Sequence, residues 1–195
     1  IGVDKAFKMI SSFFLMVLDQ PHHPKQGSMV FSDCGLVIDP DAVQLAEIAS
    51  AAANSYQALN REPAKVAMLS FSTQGSANHP DVDKVVEATH LVKTARPDLT
   101  IDGEVQLDAA IVPAIAASKI KNSNVQGAAN VLVFPSLEAG NIAYKLVERF
   151  AGATAIGPLL QGLAQPANDL SRGCSADDVY YVAAVTVVQA QASAC

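Results

Sequence analysis

Short apolar runs alternate along this chain with longer stretches that carry apolar residues at helical spacing. Residues 65–71 and 130–134 are apolar without the polar alternation of a half-exposed strand, and residues 80–95 place Val85 and Val92 on one side of a helix. Strands buried on both faces lack such alternation, and the helices that connect them cover the two faces of a sheet. The pattern therefore predicts an α/β fold with three α/β/α layers around a mostly parallel sheet.

The same alternation continues along the rest of the chain. Strands are predicted at residues 11–18, 28–31, 65–71, 100–102, 130–134 and 153–156. Helices are predicted at residues 40–59 with Asp39 as N-cap and Pro40 first, 80–95, 107–117 with a bend near Pro113, 137–150 and 177–190. Ligands of such sheets bind beyond the carboxyl ends of the strands, so the loops that follow the strands are candidate binding segments.

The charge of the chain excludes two classes of partner. The 195 residues carry a formal net charge of −6, and no basic tract is interleaved with aromatic residues. An acidic surface does not attract nucleic acid or anionic lipid. The longest apolar runs, residues 13–18 and 179–188, are too short to cross a bilayer. We expect no nucleic-acid partner and no membrane span, so an anionic substrate must be bound by local arginines and backbone amides.

The cysteines and histidines do not predict a metal site. Cys34, Cys174 and Cys195 are widely spaced and lack a CxxC pair, which favours a reducing, cytoplasmic compartment over a disulfide framework or a zinc site. His22 and His23 are adjacent in a segment with proline and glycine, without the spaced partners of a metal site. A solvent loop is the favoured interpretation, and no metal is expected.

A concentration of reactive groups precedes the last predicted helix. Residues 156–166 are apolar but contain Gly157, Gly162 and two prolines, so they form neither one helix nor one central strand. A hydroxyl, a guanidinium, a thiol and a carboxylate then follow on Ser171, Arg172, Cys174 and Asp178. This segment is the candidate active-site loop.

Two interpretations of that loop remain open. Ser175 and Asp178 have the spacing of a capping box, in which the serine accepts from a first-turn amide and the carboxylate reaches back. Arg172 would then be a solvated charge and Cys174 a small apolar residue. Alternatively, the amides that open the helix and the guanidinium of Arg172 together bind phosphate. The second interpretation predicts a phosphorylated substrate.

A second polar loop follows the strand predicted at residues 65–71. Ser72, Thr73 and Gly75 offer hydroxyls and a glycine between strand and helix, which suits an anion-binding concavity. The same residues are equally suited to capping the next helix. Neither a Gly-Lys-Ser/Thr P-loop nor a GxGxxG motif is present, so a dinucleotide is not indicated.

Several blocks of this chain together resemble the phosphate acetyltransferase family. The most specific are Gly157-Pro158-Leu159-Leu160-Gln161-Gly162, Pro166 and Asn168-Asp169-Leu170-Ser171-Arg172-Gly173. The upstream blocks are Leu69-Ser70-Phe71-Ser72-Thr73 with Gly75-Ser76, Asp102-Gly103-Glu104 with Gln106 and Asp108-Ala109-Ala110, and Phe134-Pro135 with Gly140-Asn141 and Tyr144-Lys145. Their order and spacing make this resemblance more specific than any single motif.

The resemblance implies an enzyme that interconverts acetyl-CoA and phosphate with acetyl phosphate and CoA. It implies a homodimer with an isocitrate/isopropylmalate dehydrogenase-like fold, in which coenzyme A is a substrate and no cofactor is tightly bound. Family chains are longer and this one begins with Ile1, so we expect a portion that starts after most of a first domain. Residues 1–162 would then be the second domain, and residues 163–195 an active-site loop and a C-terminal helix that returns to the first.

The resemblance also implies roles for individual residues. Asp178 would deprotonate the thiol of CoA, Ser171 would stabilise the oxyanion, and Arg172 would hold the phosphate. Asn141, Tyr144 and Lys145 lie one turn apart on one helix face, where Lys145 meets either a CoA phosphate or only solvent. The residues expected to bind substrate are Ser72, Thr73, Gly75, Asn141, Tyr144, Lys145, Gln161 and Cys174.

The implied proton transfer requires a shifted pKa, and alternatives to the direct mechanism remain open. An aspartate with a pKa near 4 and a thiol near 8.5 leave the proton transfer uphill by about 6 kcal/mol. We therefore expect either a raised pKa for Asp178 or a lowered pKa for the thiol. Direct transfer competes with a route through acetyl-Cys174, and with the weaker alternative of Ser171 as nucleophile. The alternative functions are a non-catalytic acetyl-CoA-binding or dimerisation fragment and a phosphate butyryltransferase.

Overall fold

A computed structural model describes residues 1–18 and 27–193 of the chain. The strands are β1 (Ser11–Leu18), β2 (Gly27–Ser32), β3 (Lys65–Leu69), β4 (Thr100–Val105), β5 (Val131–Val133) and β6 (Thr154–Gln161). The helices are α1 (Ala42–Asn60), α2 (Pro80–Ala95), α3 (Leu107–Ile111), α4 (Pro113–Lys119), α5 (Leu137–Ala151) and α6 (Ala176–Ser193). The predicted alternation of strands and helices is confirmed, and the protein belongs to the α/β class.

Within the described ranges, the strands form one six-stranded sheet in the order β4-β3-β5-β2-β1-β6. The pairings of β3 with β4, β3 with β5 and β2 with β5 are parallel, whereas β1 is antiparallel to both β2 and β6. Only residues 19–26 separate β1 from β2, which is too few for the crossover that a parallel pairing requires. The sheet is therefore mixed.

The alternation along β1 shows how the sheet divides the core. Phe13 and Leu15 belong to a buried cluster with α1, α2 and α6, whereas Phe14 and Met16 belong to a second cluster with α3, α4 and α5. Because successive side chains of a strand point to opposite faces, the two clusters lie on opposite faces of the sheet. Helices thus cover both faces.

Among the predicted boundaries that differ from the structure, two have identifiable reasons. Helix α1 begins at Ala42, because Asp41 accepts a hydrogen bond from the Gln44 amide at 2.8 Å while the Gln44 side chain accepts from the Asp41 amide at 3.0 Å. This capping box is specific to Asp41, and Asp39 instead accepts a 2.9 Å hydrogen bond from Lys84.

Strand β6 continues to Gln161, past the predicted end at residue 156. Its one pairing within the described residues is with β1, and such an edge strand tolerates Pro158.

Helix α6 packs one side against α1 through Val182 and Val185. Its other side is open, since Val179 is 45%, Tyr180 71% and Val187 55% exposed. Across residues 1–18 and 27–193, none of the helices has the length and apolar character needed to span a membrane.

Candidate active site

A cavity of about 380 Å³ lies between the second half of α5, the start of β6 and the start of α6. Its lining residues are Phe14, Tyr144, Lys145, Glu148, Arg149, Ala155, Gly157, Pro158, Ser171, Gly173, Cys174 and Asp178. We refer to it as the α5–α6 pocket. It brings two of the three predicted catalytic residues together with three of the predicted substrate-binding residues, Tyr144, Lys145 and Cys174.

Local features of α5 fix the wall of this pocket. Ser136 caps the helix by accepting a hydrogen bond from the Ala139 amide at 3.4 Å, and Gly152 ends it in the left-handed conformation. Gly140 allows α5 to approach the segment that follows β2, because an added Cβ would lie 2.9 Å from the sulfur of Cys34 and closer still to the carbonyl of Asp33. Tyr144 is thereby brought onto the sheet face that carries Phe14.

Gly157 also packs closely against Phe14. A Cβ at Gly157 would lie 2.8 Å from Cδ1 of the Phe14 ring, closer than real Cβ contacts. The absence of a side chain therefore lets β6 lie directly against the ring. Together with Ala155 and Pro158, these residues form the apolar side of the α5–α6 pocket.

Cations on α5 form part of the polar side. Nζ of Lys145 donates to Oδ1 of Asn141 at 2.6 Å and lies 5.6 Å from the centroid of the Tyr144 ring. Asn141 in turn donates to the carbonyl of Cys34 at 3.1 Å, so it orients Lys145 from behind the pocket. Burial, and next the charge of Glu148, raise the pKa of Tyr144, which keeps its hydroxyl protonated.

Sequence reasoning missed Arg149 and Glu148 as pocket residues. Arg149 lies one helical turn after Lys145, the spacing that places two side chains on the same helix face. Its Nε is 3.5 Å from an oxygen of the neighbouring Glu148, and its side chain is 79% exposed. The i,i+4 spacing from Lys145 is the signal that was available. The pocket thus carries two cations and one anion on α5.

The capping box at the start of α6 is confirmed. Oδ2 of Asp178 accepts from the amide of Ser175 at 2.7 Å and from its hydroxyl at 2.8 Å, and the amide of Asp178 donates back to the hydroxyl at 3.2 Å. The bonds from the Ser175 amide and hydroxyl lower the pKa of Asp178. The expected alternative of a raised pKa for Asp178 is therefore wrong in this conformation, and its role as a base remains a prediction.

Ser171 and Arg172 lie on an exposed turn before α6. The carbonyl of Ser171 accepts from the Cys174 amide at 3.0 Å, and its hydroxyl accepts from the Gly173 amide at 3.4 Å. Arg172 is exposed, is not among the lining residues of the pocket, and forms no salt bridge with the residues that the structure describes. Cys174 is a free, half-buried thiol at the pocket wall.

The structure does not bring Ser72, Thr73 and Gly75 to this pocket. Oε1 of the buried Glu104 accepts from the Ser72 hydroxyl at 2.9 Å and from the Gly75 amide at 2.7 Å. The hydroxyl of Thr73 accepts from the Gln106 amide at 3.0 Å. These polar groups are thus engaged in holding their own loop, which follows β3, against the end of β4.

Gln161 also lies away from the α5–α6 pocket, on the opposite face of the sheet. Its side-chain nitrogen donates to the hydroxyls of Ser11 at 2.9 Å and Ser32 at 3.1 Å, and its oxygen accepts from Ser55 on α1 at 3.1 Å. The side chain is buried and links β6, β1, β2 and α1. The geometry gives Gln161 a structural role.

Metal ligands do not gather in the part of the chain that the structure describes. Over residues 1–18 and 27–193, no group of three or more His, Cys, Asp or Glu side chains is placed to hold a metal ion. The candidates His22 and His23, together with Cys195, lie outside the described residues.

An α/β sheet with a hydroxyl, a thiol, a carboxylate and two cations around one pocket defines the chain as a candidate group-transfer enzyme. Its residues 1–187 match the family described as Phosphate acetyl/butaryl transferase. The chain therefore belongs to the phosphate acetyl/butaryl transferase family.

Individual relatives agree with this assignment. The chain is 56% identical over 184 residues to the phosphate acetyltransferase of Acetivibrio thermocellus, covering 94% of this chain and 55% of the relative. It is 52% identical over 189 residues to that of Paracoccus denitrificans, covering 97% and 59%. The chain thus spans a little over half the length of these curated relatives.

Solved structures also support the assignment to this family. A phosphotransacetylase from Streptococcus pyogenes superimposes with a TM-score of 0.91 at 47% identity, covering 98% of this chain and 56% of that one. A branched-chain phosphotransacylase from Enterococcus faecalis superimposes with a TM-score of 0.76 at 26% identity, covering 95% and 66%. The fold described above is thus that of phosphotransacylases.

Proposed function

We propose that this chain carries an acyl-transfer site that interconverts acetyl-CoA and phosphate with acetyl phosphate and CoA. The observation that supports this most is the α5–α6 pocket, where Ser171, Cys174 and Asp178 meet Lys145 and Arg149. An acyl transfer between a thiol and phosphate needs a proton acceptor, an oxyanion donor and cations for phosphate groups. The named side chains supply groups of each kind.

In the proposed reaction the acyl group moves directly from phosphate to sulfur. Asp178 takes the proton from the thiol of CoA, and the thiolate attacks the carbonyl carbon of acetyl phosphate. The hydroxyl of Ser171 donates to the oxygen that becomes negative. As the C–S bond forms and the C–O bond breaks, phosphate leaves toward the guanidinium of Arg172.

Because the pKa of Asp178 is lowered, the proposed proton transfer requires that the pKa of the thiol be lowered as well. A carboxylate with a lowered pKa is a weaker base, so the thiol itself must be made more acidic. Lys145 and Arg149 line the same pocket and their positive charges stabilise a thiolate. A thiol made more acidic by these cations is thus the favoured route to the thiolate. Transfer through a covalent acetyl-Cys174 remains the alternative to direct transfer.

The proposal extends to the surroundings of the site. Residues 1–162 correspond to the second domain of a two-domain enzyme with an isocitrate/isopropylmalate dehydrogenase-like fold, whose sheet is mostly parallel. Residues 163–195 carry the active-site loop and a helix that contacts the first domain, which agrees with the open side of α6. The enzyme is a cytoplasmic homodimer that uses CoA, phosphate and acetyl phosphate and holds no cofactor tightly.

Among the predicted substrate-binding residues, Tyr144, Lys145 and Cys174 act from the pocket wall and Asn141 supports Lys145 from behind. Ser72, Thr73, Gly75 and Gln161 do not line this pocket, and their roles in substrate binding stay predictions. A phosphate butyryltransferase is the second candidate, because the apolar side of the pocket suits an acyl chain. The identities of 52% and 56% to phosphate acetyltransferases favour acetyl as the acyl group.

A chimera tests the proposal. The chain replaces the matching region of the Acetivibrio thermocellus phosphate acetyltransferase, of which it covers 55%. Formation of acetyl-CoA from acetyl phosphate and CoA is measured for the chimera, the parent relative and this chain alone. We expect the chimera to turn over acetyl phosphate in preference to butyryl phosphate. A folded chimera that binds CoA without turnover, beside an active parent, supports the non-catalytic alternative and contradicts the proposal.

A further inference from the structure

Two donors of Ser175 converge on one oxygen of Asp178. The Ser175 amide lies 2.7 Å and its hydroxyl 2.8 Å from Oδ2, while the carbonyl of Ser175 accepts the first helical hydrogen bond from Val179 at 3.2 Å. Because the donors belong to a residue fixed by the helix start, the carboxylate is held at a defined position and angle. Ser175 is not among the lining residues of the pocket and thus acts only through Asp178.

The second carboxylate oxygen is available to the pocket. Within residues 1–18 and 27–193, no donor is hydrogen-bonded to Oδ1 of Asp178, and Asp178 lines the α5–α6 pocket. A carboxylate that receives both structural bonds on one oxygen keeps the lone pairs of the other free. One arrangement of Asp178 therefore caps α6 through Oδ2 and leaves Oδ1 able to accept a proton.

The serine and aspartate caps of α5 and α1 lack this property. In α1 the side chain that reaches back to the cap is Gln44, which does not ionise, and in α5 the residue three positions after Ser136 is Ala139. At α6 the returning side chain is a carboxylate at the wall of a pocket. Helix capping alone does not require a titratable group there.

We propose that Ser175 is a positioning residue for acyl transfer: its amide and hydroxyl hold Oδ2 of Asp178 so that Oδ1 meets the thiol of the substrate. The proposal rests on the proposed function, in which Asp178 takes the proton of the thiol. It identifies the capping box as part of the catalytic arrangement, so the two interpretations of Asp178 do not exclude each other.

Other charges act on Asp178 from the elements around the pocket. They are Lys145, Glu148 and Arg149 on α5, Arg172 on the preceding turn, Asp177 on α6, and the ionisable Tyr144 and Cys174. Removing the Ser175 hydroxyl leaves all of these in place. A change in the pKa of Asp178 on that substitution therefore reports the lost hydrogen bond.

The direction in which the pKa of Asp178 should change follows from the hydrogen bonds that Ser175 donates to it. The Ser175 amide and hydroxyl lower the pKa of Asp178 by stabilising its carboxylate, so loss of the hydroxyl raises that pKa. The carboxylate form of Ser175→Ala is then lost at a higher pH as the solution is acidified. Its carboxylate is a stronger base but is held by the backbone amide alone instead of by two donors, and misplacement of a catalytic group lowers turnover by about tenfold to a hundredfold. Greater basicity with slower turnover is not expected of a cap that only supports folding.

The first measurement is an NMR titration of the Asp178 carboxyl carbon in the chain itself. Ser175→Ala should raise its pKa and Ser175→Thr, which keeps the hydroxyl, should restore it. Ser136→Ala is the matched control, because it removes a serine cap from α5 without touching Asp178. An Asp178 titration that is the same in Ser175→Ala as in the unsubstituted chain overturns the proposal whether or not the chain is active.

The second measurement is the pH profile of kcat and of kcat/KM for CoA, in this chain and in the chimera. For Ser175→Ala we expect the acid limb of kcat/KM to move to higher pH, with turnover lowered by about tenfold to a hundredfold, and rescue by Ser175→Thr. Turnover that is unchanged or faster in Ser175→Ala overturns the positioning role. If even the unsubstituted chimera is inactive, the proposed function fails, and the titration separately decides whether Ser175 holds Asp178.

Discussion

The ring of Tyr144 lies almost parallel to the ring of Phe14, with centroids 4.0 Å apart and an interplanar angle of 16°. Phe14 belongs to β1 and Tyr144 to α5, so this contact joins sheet and helix at the apolar side of the α5–α6 pocket. Offset-stacked rings are a favourable arrangement that adds to the burial of the two side chains. The apolar wall of the pocket is therefore expected to be rigid.

Widening this wall should change the acyl preference. Phe14→Leu removes part of the stacked ring, and space for one methylene changes discrimination by about tenfold to 200-fold. We expect kcat/KM for butyryl phosphate to rise relative to acetyl phosphate by about tenfold in the chimera. Phe31→Leu is the matched control, because Phe31 is also 5% exposed, lies on the same sheet face and does not line the pocket. The same shift in both variants would mean that loosened packing, not the wall, sets the preference.

The cations of α5 should govern the affinity for CoA. Replacing Lys145 or Arg149 by glutamine removes a charge from the wall of the pocket that is proposed to bind CoA, and a hydrogen bond to a charged group contributes about 1.5–3 kcal/mol. We expect kcat/KM for CoA to fall about tenfold in either variant, through a higher KM for CoA and also a lower kcat, because the same charges are proposed to stabilise the thiolate. The measurement is initial rate against CoA concentration at two salt concentrations.

Lys93→Gln is the control for that experiment, since Lys93 is an exposed lysine near the end of α2. It changes the net charge by the same amount at a distance from the pocket. An equal rise in KM for Lys93→Gln would assign the effect to the overall charge of the protein and remove Lys145 and Arg149 from the binding site.

The fold was predictable where burial determines it. All six strands of the described residues were located, and those at residues 11–18, 65–69 and 131–133 were found as apolar runs, because strands within a covered sheet must be apolar on both faces. The end of β6 was not predictable, because a proline excludes a central strand and only the tertiary structure shows that β6 is an edge. The start of α1 was misplaced since the Asp41–Gln44 pair was a better cap than Asp39.

The candidate site was predictable where residues adjoin in sequence. Ser171, Cys174 and Asp178 meet the face of α5 with Tyr144 and Lys145, whereas Arg172 of the same segment does not line the pocket. Ser72 and Gln161 do not join them, because buried polar side chains must satisfy their hydrogen bonds, and their partners Glu104 and Ser55 are distant in sequence. No local pattern distinguishes such a residue from one that binds a substrate.

Alkaline stability should depend on Tyr56. Its hydroxyl donates to Glu62 at 3.2 Å, and burial, followed by the charge of Glu62, raises the pKa of Tyr56 to about 12. An unfolded tyrosine ionises near pH 10. The unfolded state therefore releases this proton first, and the stabilisation is complete below about pH 10 and lost as the pH rises toward 12.

Denaturant unfolding across that pH range measures this effect. The free energy of unfolding of the unsubstituted chain should fall more steeply above about pH 10 than that of Tyr56→Phe, which has no proton to lose at this position. Parallel curves for the two proteins would contradict the raised pKa.

Turnover of Asp178→Asn tests the central claim most directly. Asparagine keeps an acceptor for the Ser175 amide and hydroxyl, so α6 remains capped, but it cannot take the proton of the thiol. Asp177→Asn is the matched control, since Asp177 is the neighbouring carboxylate in the first turn of α6 and does not line the pocket. With thermal melts of all variants unchanged, we predict that kcat of the chimera falls by about two to four orders of magnitude in Asp178→Asn and stays near normal in Asp177→Asn. Near-normal turnover of a folded Asp178→Asn chimera would contradict the account and leave Asp178 as a helix cap alone.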